Sequence, residues 1–169
     1  MAILYVALGS NLGDRAAHLL AGVAGCSAHG IALRRLSSIY ETAPVGGPAG
    51  QNWYLNAVGE FQSGLDARVV LQILRNIEER NGRVRGAKDA PRTLDLDILS
   101  VGSEIRSGED LTLPHPRLHL RRFVLEPFVE IAPAYRVPGL DRTAAELLAD
   151  LLLREPGCGS IRLYHAQRP

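Results

Sequence analysis

The 169 residues, 46% apolar and 22% charged, have the length and balance of one soluble globular domain, read as residues 1–169. A formal net charge of +1 supplies no global field for nucleic acid or an anionic membrane, so anion binding must come from a local cluster of arginines. No stretch approaches the ~20 apolar residues of a membrane span, and Cys26 and Cys158 match no metal spacing and are expected to be buried and reduced.

Residues 1–6 carry no basic leader and run directly into an apolar segment, so no signal peptide is expected and the cytoplasm is the expected location. Residues 3–8 read as a buried strand closed by the turn Gly9-Ser10-Asn11. Asp14 can cap a helix running to about His29, with Leu19, Leu20 and Val23 on its apolar face, and Gly30 breaks it. Residues 31–42 carry β-branched and apolar residues in rough alternation and predict a second strand. The Pro- and Gly-rich stretch 43–50 resists both helix and strand and is expected to be a mobile loop. Residues 54–62 predict a third strand. Asp66 opens a second helix, with Val69, Val70, Ile73, Leu74 and Ile77 at helical spacing, and Asn81-Gly82 stops it. A second glycine-containing polar loop covers 82–91, and residues 94–101 predict a fourth strand.

The order so far is β-α-β-β-α-β, the split βαβ of ferredoxin-like α+β folds. A proline-rich loop, helices near 122–131 and 143–153, and a short strand at 161–164 are expected to complete it.

The sharpest motif is Arg92-Thr93-Leu94-Asp95-Leu96-Asp97-Ile98. Side chains alternate faces along a strand, so Leu94, Leu96 and Ile98 face a core while Asp95 and Asp97 share the other face, ~6.6 Å apart. Two adjacent carboxylates repel unless a cation sits with them, and hard oxygen donors suit Mg²⁺ sharing its shell with phosphates and water. An isolated Asp-x-Asp can also mark only a solvated sheet face. The loop just before it carries Arg83, Arg85, Lys88 and Arg92, a supply of planar guanidinium donors matched to phosphate oxygens. Carboxylates for Mg²⁺ beside arginines for phosphate point to phosphoryl or pyrophosphoryl transfer.

His115 and His119 stand at i, i+4, but Pro116 between them and the lack of a third ligand argue against zinc. His115 and Arg121 fit phosphate or ribose contacts better. Trp53-Tyr54-Leu55-Asn56 places an aromatic ring beside a carboxamide on one strand, which suits a flat heterocycle. No Walker-type loop or protein-kinase motif set is present.

Together the segments 6–14, 38–44, 54–57, 77–85, 91–98 and 113–116 resemble 6-hydroxymethyl-7,8-dihydropterin pyrophosphokinases over nearly the whole chain. The resemblance implies a ferredoxin-like fold with loops over the site. It also implies transfer of pyrophosphate from ATP to the pterin hydroxymethyl group, giving AMP and the pterin diphosphate in folate biosynthesis. By the same resemblance Asp95 and Asp97 look like ligands of two Mg²⁺ ions, with Arg83 and Arg92 as catalytic arginines. Glu78, Arg85, Ile98, Thr112, His115 and Arg121 fall at ATP contacts, and Thr42, Pro44, Val45, Tyr54, Asn56 and Phe123 at pterin contacts. The implied partners are ATP and the pterin alone, without nucleic acid or membrane, and a monomer is expected. The chain departs from the family at Lys88-Asp89-Ala90, where a tryptophan is common, at Asp110, where an arginine is common, and at Arg75, where a glutamine is common. Trp53 is a candidate replacement for the aromatic contact. Two rival readings, a nucleotide-sugar transferase using Asp-x-Asp and a non-catalytic ferredoxin-like module, explain less. The first needs a larger nucleotide domain, and the second leaves the acidic pair beside an arginine loop unexplained.

Overall fold

Eight strands and four helices follow one another in the computed structural model, which describes residues 1–44, 50–83 and 90–165. Strand β1 (Ala2–Ser10) leads to helix α1 (Arg15–Ala28), whose first turn is capped by the Asp14 carboxylate accepting from the Ala17 amide. Strands β2 (Ala32–Leu36), β3 (Tyr40–Thr42) and β4 (Tyr54–Ser63) precede α2 (Ala67–Arg80), capped in the same way by Asp66. Strand β5 (Asp95–Val101) completes the ferredoxin-like core. A 3₁₀ turn (Leu118–Leu120), α3 (Arg122–Ile131), the hairpin β6 (Arg136–Val137) and β7 (Arg142–Thr143), α4 (Ala144–Arg154) and β8 (Ile161–Leu163) follow.

The sheet runs β5-β1-β4-β3-β8, with β2 also paired to β4, and the pairings are antiparallel. Alternation along β1 sends Leu4, Val6 and Leu8 to one face, where they meet Leu19 and Cys26 of α1 and Val70, Leu74 and Ile77 of α2. The opposite face carries Tyr5, Val58 and Leu99 against Val124, Leu125 and Phe128 of α3 and Leu147 and Leu151 of α4. Helices α3 and α4 cover one end of that face; Asp95, Asp97 and Asn56 lie at the other.

Three expectations need correction. The single strand expected over 31–42 is two strands, because at Ser37 a side chain replaces part of the ladder: Ser37 N donates to Val58 O, and Ser37 Oγ accepts from Val58 N, both at 3.0 Å. Leu20 and Val69, assigned to apolar helix faces, are exposed. The stripe of α1 is instead Leu19, Gly22 and Cys26, since α1 approaches α2 so closely that a Cβ on Gly25 would stand 3.0 Å from Ile77. Both cysteines are free, but only Cys26 is buried; Cys158 is partly exposed. Among the described residues, no helix is long and apolar enough to cross a membrane.

Candidate active site

Asp95 and Asp97 stand on one face of β5, as alternation requires, while Leu94, Leu96 and Ile98 are buried behind them. They open into a cleft of about 410 Å³ whose lining also includes Gly9, Thr42, Tyr54, Asn56, Arg92, Arg121 and Phe123. The sheet register builds its floor: Gly9 of β1 pairs with Asp95 on one side and Asn56 on the other. With strands ~4.8 Å apart, the acidic strand and the carboxamide strand stand about 10 Å apart across glycine. A Cβ at residue 9 would come within 3.2 Å of Asn56 Oδ1, so the floor admits only glycine without displacement. Asn56 is itself fixed, donating from Nδ2 to Thr42 Oγ1 at 2.7 Å.

Each aspartate gathers cations. Arg83 and Arg92 donate to the two oxygens of Asp95, at 2.5 and 2.9 Å, and Arg83 also pairs with Glu78. Arg121 Nη1 lies 3.4 Å from Asp97 Oδ2, with the guanidinium 5.6 Å from the Phe123 ring centroid. His115 Nε2 is 3.9 Å from the same oxygen. The Arg117 amide donates to His115 Nδ1, which places the proton of the neutral ring on Nε2, facing Asp97. Burial holds the His115 pKa below its ordinary value, against the pull of Asp97.

Arg83 and His115 reach the aspartates from outside the cleft lining, and other residues singled out in the sequence also lie outside it. Glu78, at the last turn of α2, is buried and accepts from the Leu96 amide at 2.7 Å, so α2 holds β5 at the residue between the two aspartates. Burial pushes its pKa up to about 7, opposed by that hydrogen bond and by Arg83. The Ile98 side chain is in the helical core, and the Thr112 hydroxyl bonds to Gly108 O. Pro44, Arg75 and Asp110 do not line the cleft either. Val45, Arg85, Lys88 and Asp89, and with them most of both loops expected over the site, lie outside the described residues.

The sequence reading missed two contributions. Asn11, nearly fully buried, bonds to both backbone groups of Arg92 and from Nδ2 to Gln51 Oε1 at 3.0 Å, joining the stems of the two loops. Its position in the turn after β1 was the available signal. The far wall comes from Glu155, Cys158, Gly159, Ser160 and Ile161, which β8 brings beside Thr42. No local pattern announces a strand pairing across so long a stretch of chain.

The sequence profile of the family described as 7,8-dihydro-6-hydroxymethylpterin-pyrophosphokinase matches residues 5–133. A Bacillus subtilis protein named 2-amino-4-hydroxy-6-hydroxymethyldihydropteridine pyrophosphokinase is 43% identical over 130 residues, 76% of this chain and 77% of the relative. A Haemophilus influenzae protein of the same name is 41% identical over 139 residues, 82% of this chain and 86% of its own. Among solved structures, Plasmodium falciparum HPPK-DHPS with pteroate superposes with a TM-score of 0.73 at 13% identity, over 93% of this chain and 45% of that one. At that identity the likeness is one of fold, and this chain spans a little under half of the longer protein. By profile and by identity, the chain belongs to the 7,8-dihydro-6-hydroxymethylpterin-pyrophosphokinase family.

Proposed function

We propose that the cleft over β5, β1 and β4 is where this chain performs the reaction of its family: transfer of pyrophosphate from ATP to the hydroxymethyl group of 6-hydroxymethyl-7,8-dihydropterin, a step of folate biosynthesis. The hydroxymethyl oxygen attacks the β-phosphorus of ATP, and the bond from that phosphorus to the α,β-bridging oxygen breaks. AMP leaves and the hydroxyl proton is released. One observation carries the placement. Asp95 and Asp97 share a strand face with three arginines converging on them, and a carboxamide and two aromatic rings line the same cleft beyond Gly9.

The donor set suits magnesium, being two hard carboxylates on one rigid strand that open into a cleft. Two Mg²⁺ ions held by Asp95 and Asp97 would supply neutralisation of phosphate charge. The chain does the rest by positioning. Arg83 and Arg92, which bond to Asp95, are the donors best placed to turn toward the transferring phosphates, with Arg85 beside them in sequence. His115 and Arg121 take nucleotide phosphate or ribose, with Thr112 assigned to the nucleotide by the family pattern; Glu78 and Ile98 contribute to nucleotide binding as the frame that holds β5. Thr42, Asn56, Tyr54 and Phe123, which line the cleft, receive the pterin, whose flat ring the aromatics can stack against and the carboxamide can read; Pro44 and Val45 are assigned to it by the family pattern alone. The same proposal takes the chain as one domain over residues 1–169, acting as a monomer in the cytoplasm, where free thiols such as Cys26 and Cys158 persist.

The test is AMP release that requires both Mg-ATP and hydroxymethyl-dihydropterin. Asp95→Ala and Asp97→Ala are each expected to lower kcat by about 10³-fold or more while the chain stays folded, as removal of a transition-state charge partner does. Near-normal turnover in both variants would overturn the metal assignment.

A further inference from the structure

On the opposite side of β3 from Thr42 lies a second depression, of about 380 Å³, lined by Arg15, Glu41, Trp53 and Arg162 among others. These four residues form one network. Arg15 Nη1 donates to Glu41 Oε1 at 3.0 Å and to the Trp53 carbonyl at 2.7 Å. Arg162 donates through Nε and Nη2 to Glu41 Oε2 at 3.0 and 2.6 Å, and its guanidinium lies 4.9 Å from the centroid of the Trp53 ring. Both oxygens of Glu41 are therefore gripped, one from α1 and one from β8, and its side chain is only 14% exposed.

What the network holds is the base of the heterocycle half of the cleft. Glu41 immediately precedes Thr42, and Trp53 immediately precedes Tyr54; Thr42 and Tyr54 are partners in the register of β3 with β4 and both line the cleft. That pairing is only three residues long, as is the pairing of β3 with β8 on its other edge, so side-chain bonds around β3 share in fixing its geometry. Hydrogen bonds to an ionised carboxylate are shorter and stronger than neutral ones, and here they reach Glu41 from two directions.

We infer that Glu41 and Arg162 are positioning residues: the Arg15–Glu41–Arg162–Trp53 clamp sets the spacing of Thr42 and Tyr54, and through it the affinity for a flat, hydrogen-bonding bicyclic heterocycle. The inference rests on the function proposed above, and one experiment separates the two. Trp53 is the only tryptophan of the chain, so its emission reports the clamp without any substrate. Glu41→Gln and Arg162→Ala are expected to shift that emission to the red and raise its quenching by acrylamide. In turnover assays they should raise KM for hydroxymethyl-dihydropterin about tenfold by loss of preorganisation, with kcat and KM for ATP within about twofold. Arg162→Lys, which keeps a cation beside Glu41 but not the fork, should recover part of the heterocycle KM. An unmoved emission, an unmoved heterocycle KM, or a parallel rise in both KM values would each overturn the clamp. Should Glu41→Gln fail to fold, Arg162→Ala decides, because that side chain is 68% exposed. Absence of turnover in the unaltered chain would strike the proposed function and the inference with it. An active chain whose variants behave normally would strike the clamp alone.

Discussion

Gly9 has no side chain to contribute, and that is its function in the floor of the cleft. Its register partners are Asp95 and Asn56, and a methyl group there would press on Asn56 Oδ1 at 3.2 Å. The carboxamide cannot retreat freely, because its Nδ2 is tied to Thr42. Gly9→Ala is therefore expected to leave the fold intact and raise KM for the pterin about tenfold, near 1.4 kcal/mol, with KM for ATP little changed. Steady-state kinetics with each substrate varied in turn measures this, and an unaltered pterin KM would show that Asn56 can move. The acidic pair was legible in the sequence because period two alone places Asp95 and Asp97 on one face. Gly9 was legible only as a turn signal. Its second role needs strands from around residues 56 and 95 beside it, and nothing local in the chain states that pairing.

At the scale of elements, helix α2 meets strand β5 through Glu78, whose carboxylate takes the Leu96 amide and pairs with Arg83. Burial is the largest influence and raises its pKa from the ordinary 4.5 to about 7. A folded-state pKa above the unfolded one means that the folded chain binds the extra proton between those values. Stability from this group is then fully present below about pH 4.5 and declines as pH rises toward 7, by up to about 3 kcal/mol. Urea midpoints for the unaltered chain and for Glu78→Gln, taken from pH 5 to 8, should show the difference between them changing through that window and levelling above it. A difference that stays constant with pH would place the carboxylate's titration elsewhere. The helices themselves were readable from caps and apolar spacing, with Asp14 and Asp66 found as caps in both sequence and structure. The break between β2 and β3 was not, because strand-favouring residues resume at Ile39 and Tyr40 directly after the Ser37-Ser38 pair, while the Ser37 hydroxyl replaces a ladder bond. The two-residue strands β6 and β7 are too short for any period to register.

Across the whole molecule the sheet serves two unequal faces. One is covered by α1 and α2 and is core throughout; the other is core where α3 and α4 lie and cleft where they do not. The order β-α-β-β-α-β made the first face legible, since it needs only consecutive elements. The second depends on a C-terminal segment that returns across the sheet to β3, a long-range pairing that no local pattern encodes. Because both cores share the same strands, loss of packing in either should weaken the whole. Phe128 tests this: it is fully buried on the α3 side, with ring centroids of Tyr5 and Tyr135 at 4.7 and 5.8 Å. Phe128→Ala is expected to cost about 3–5 kcal/mol, the usual penalty of a large cavity in a close-packed interior. Its unfolding should nevertheless remain one transition, followed identically by far-UV circular dichroism and by Trp53, which lies away from that core in the second depression behind β3. If the two probes separated, with Trp53 melting later than the backbone signal, the two faces would be independent folding units and the shared sheet would not couple the site to the α3–α4 core.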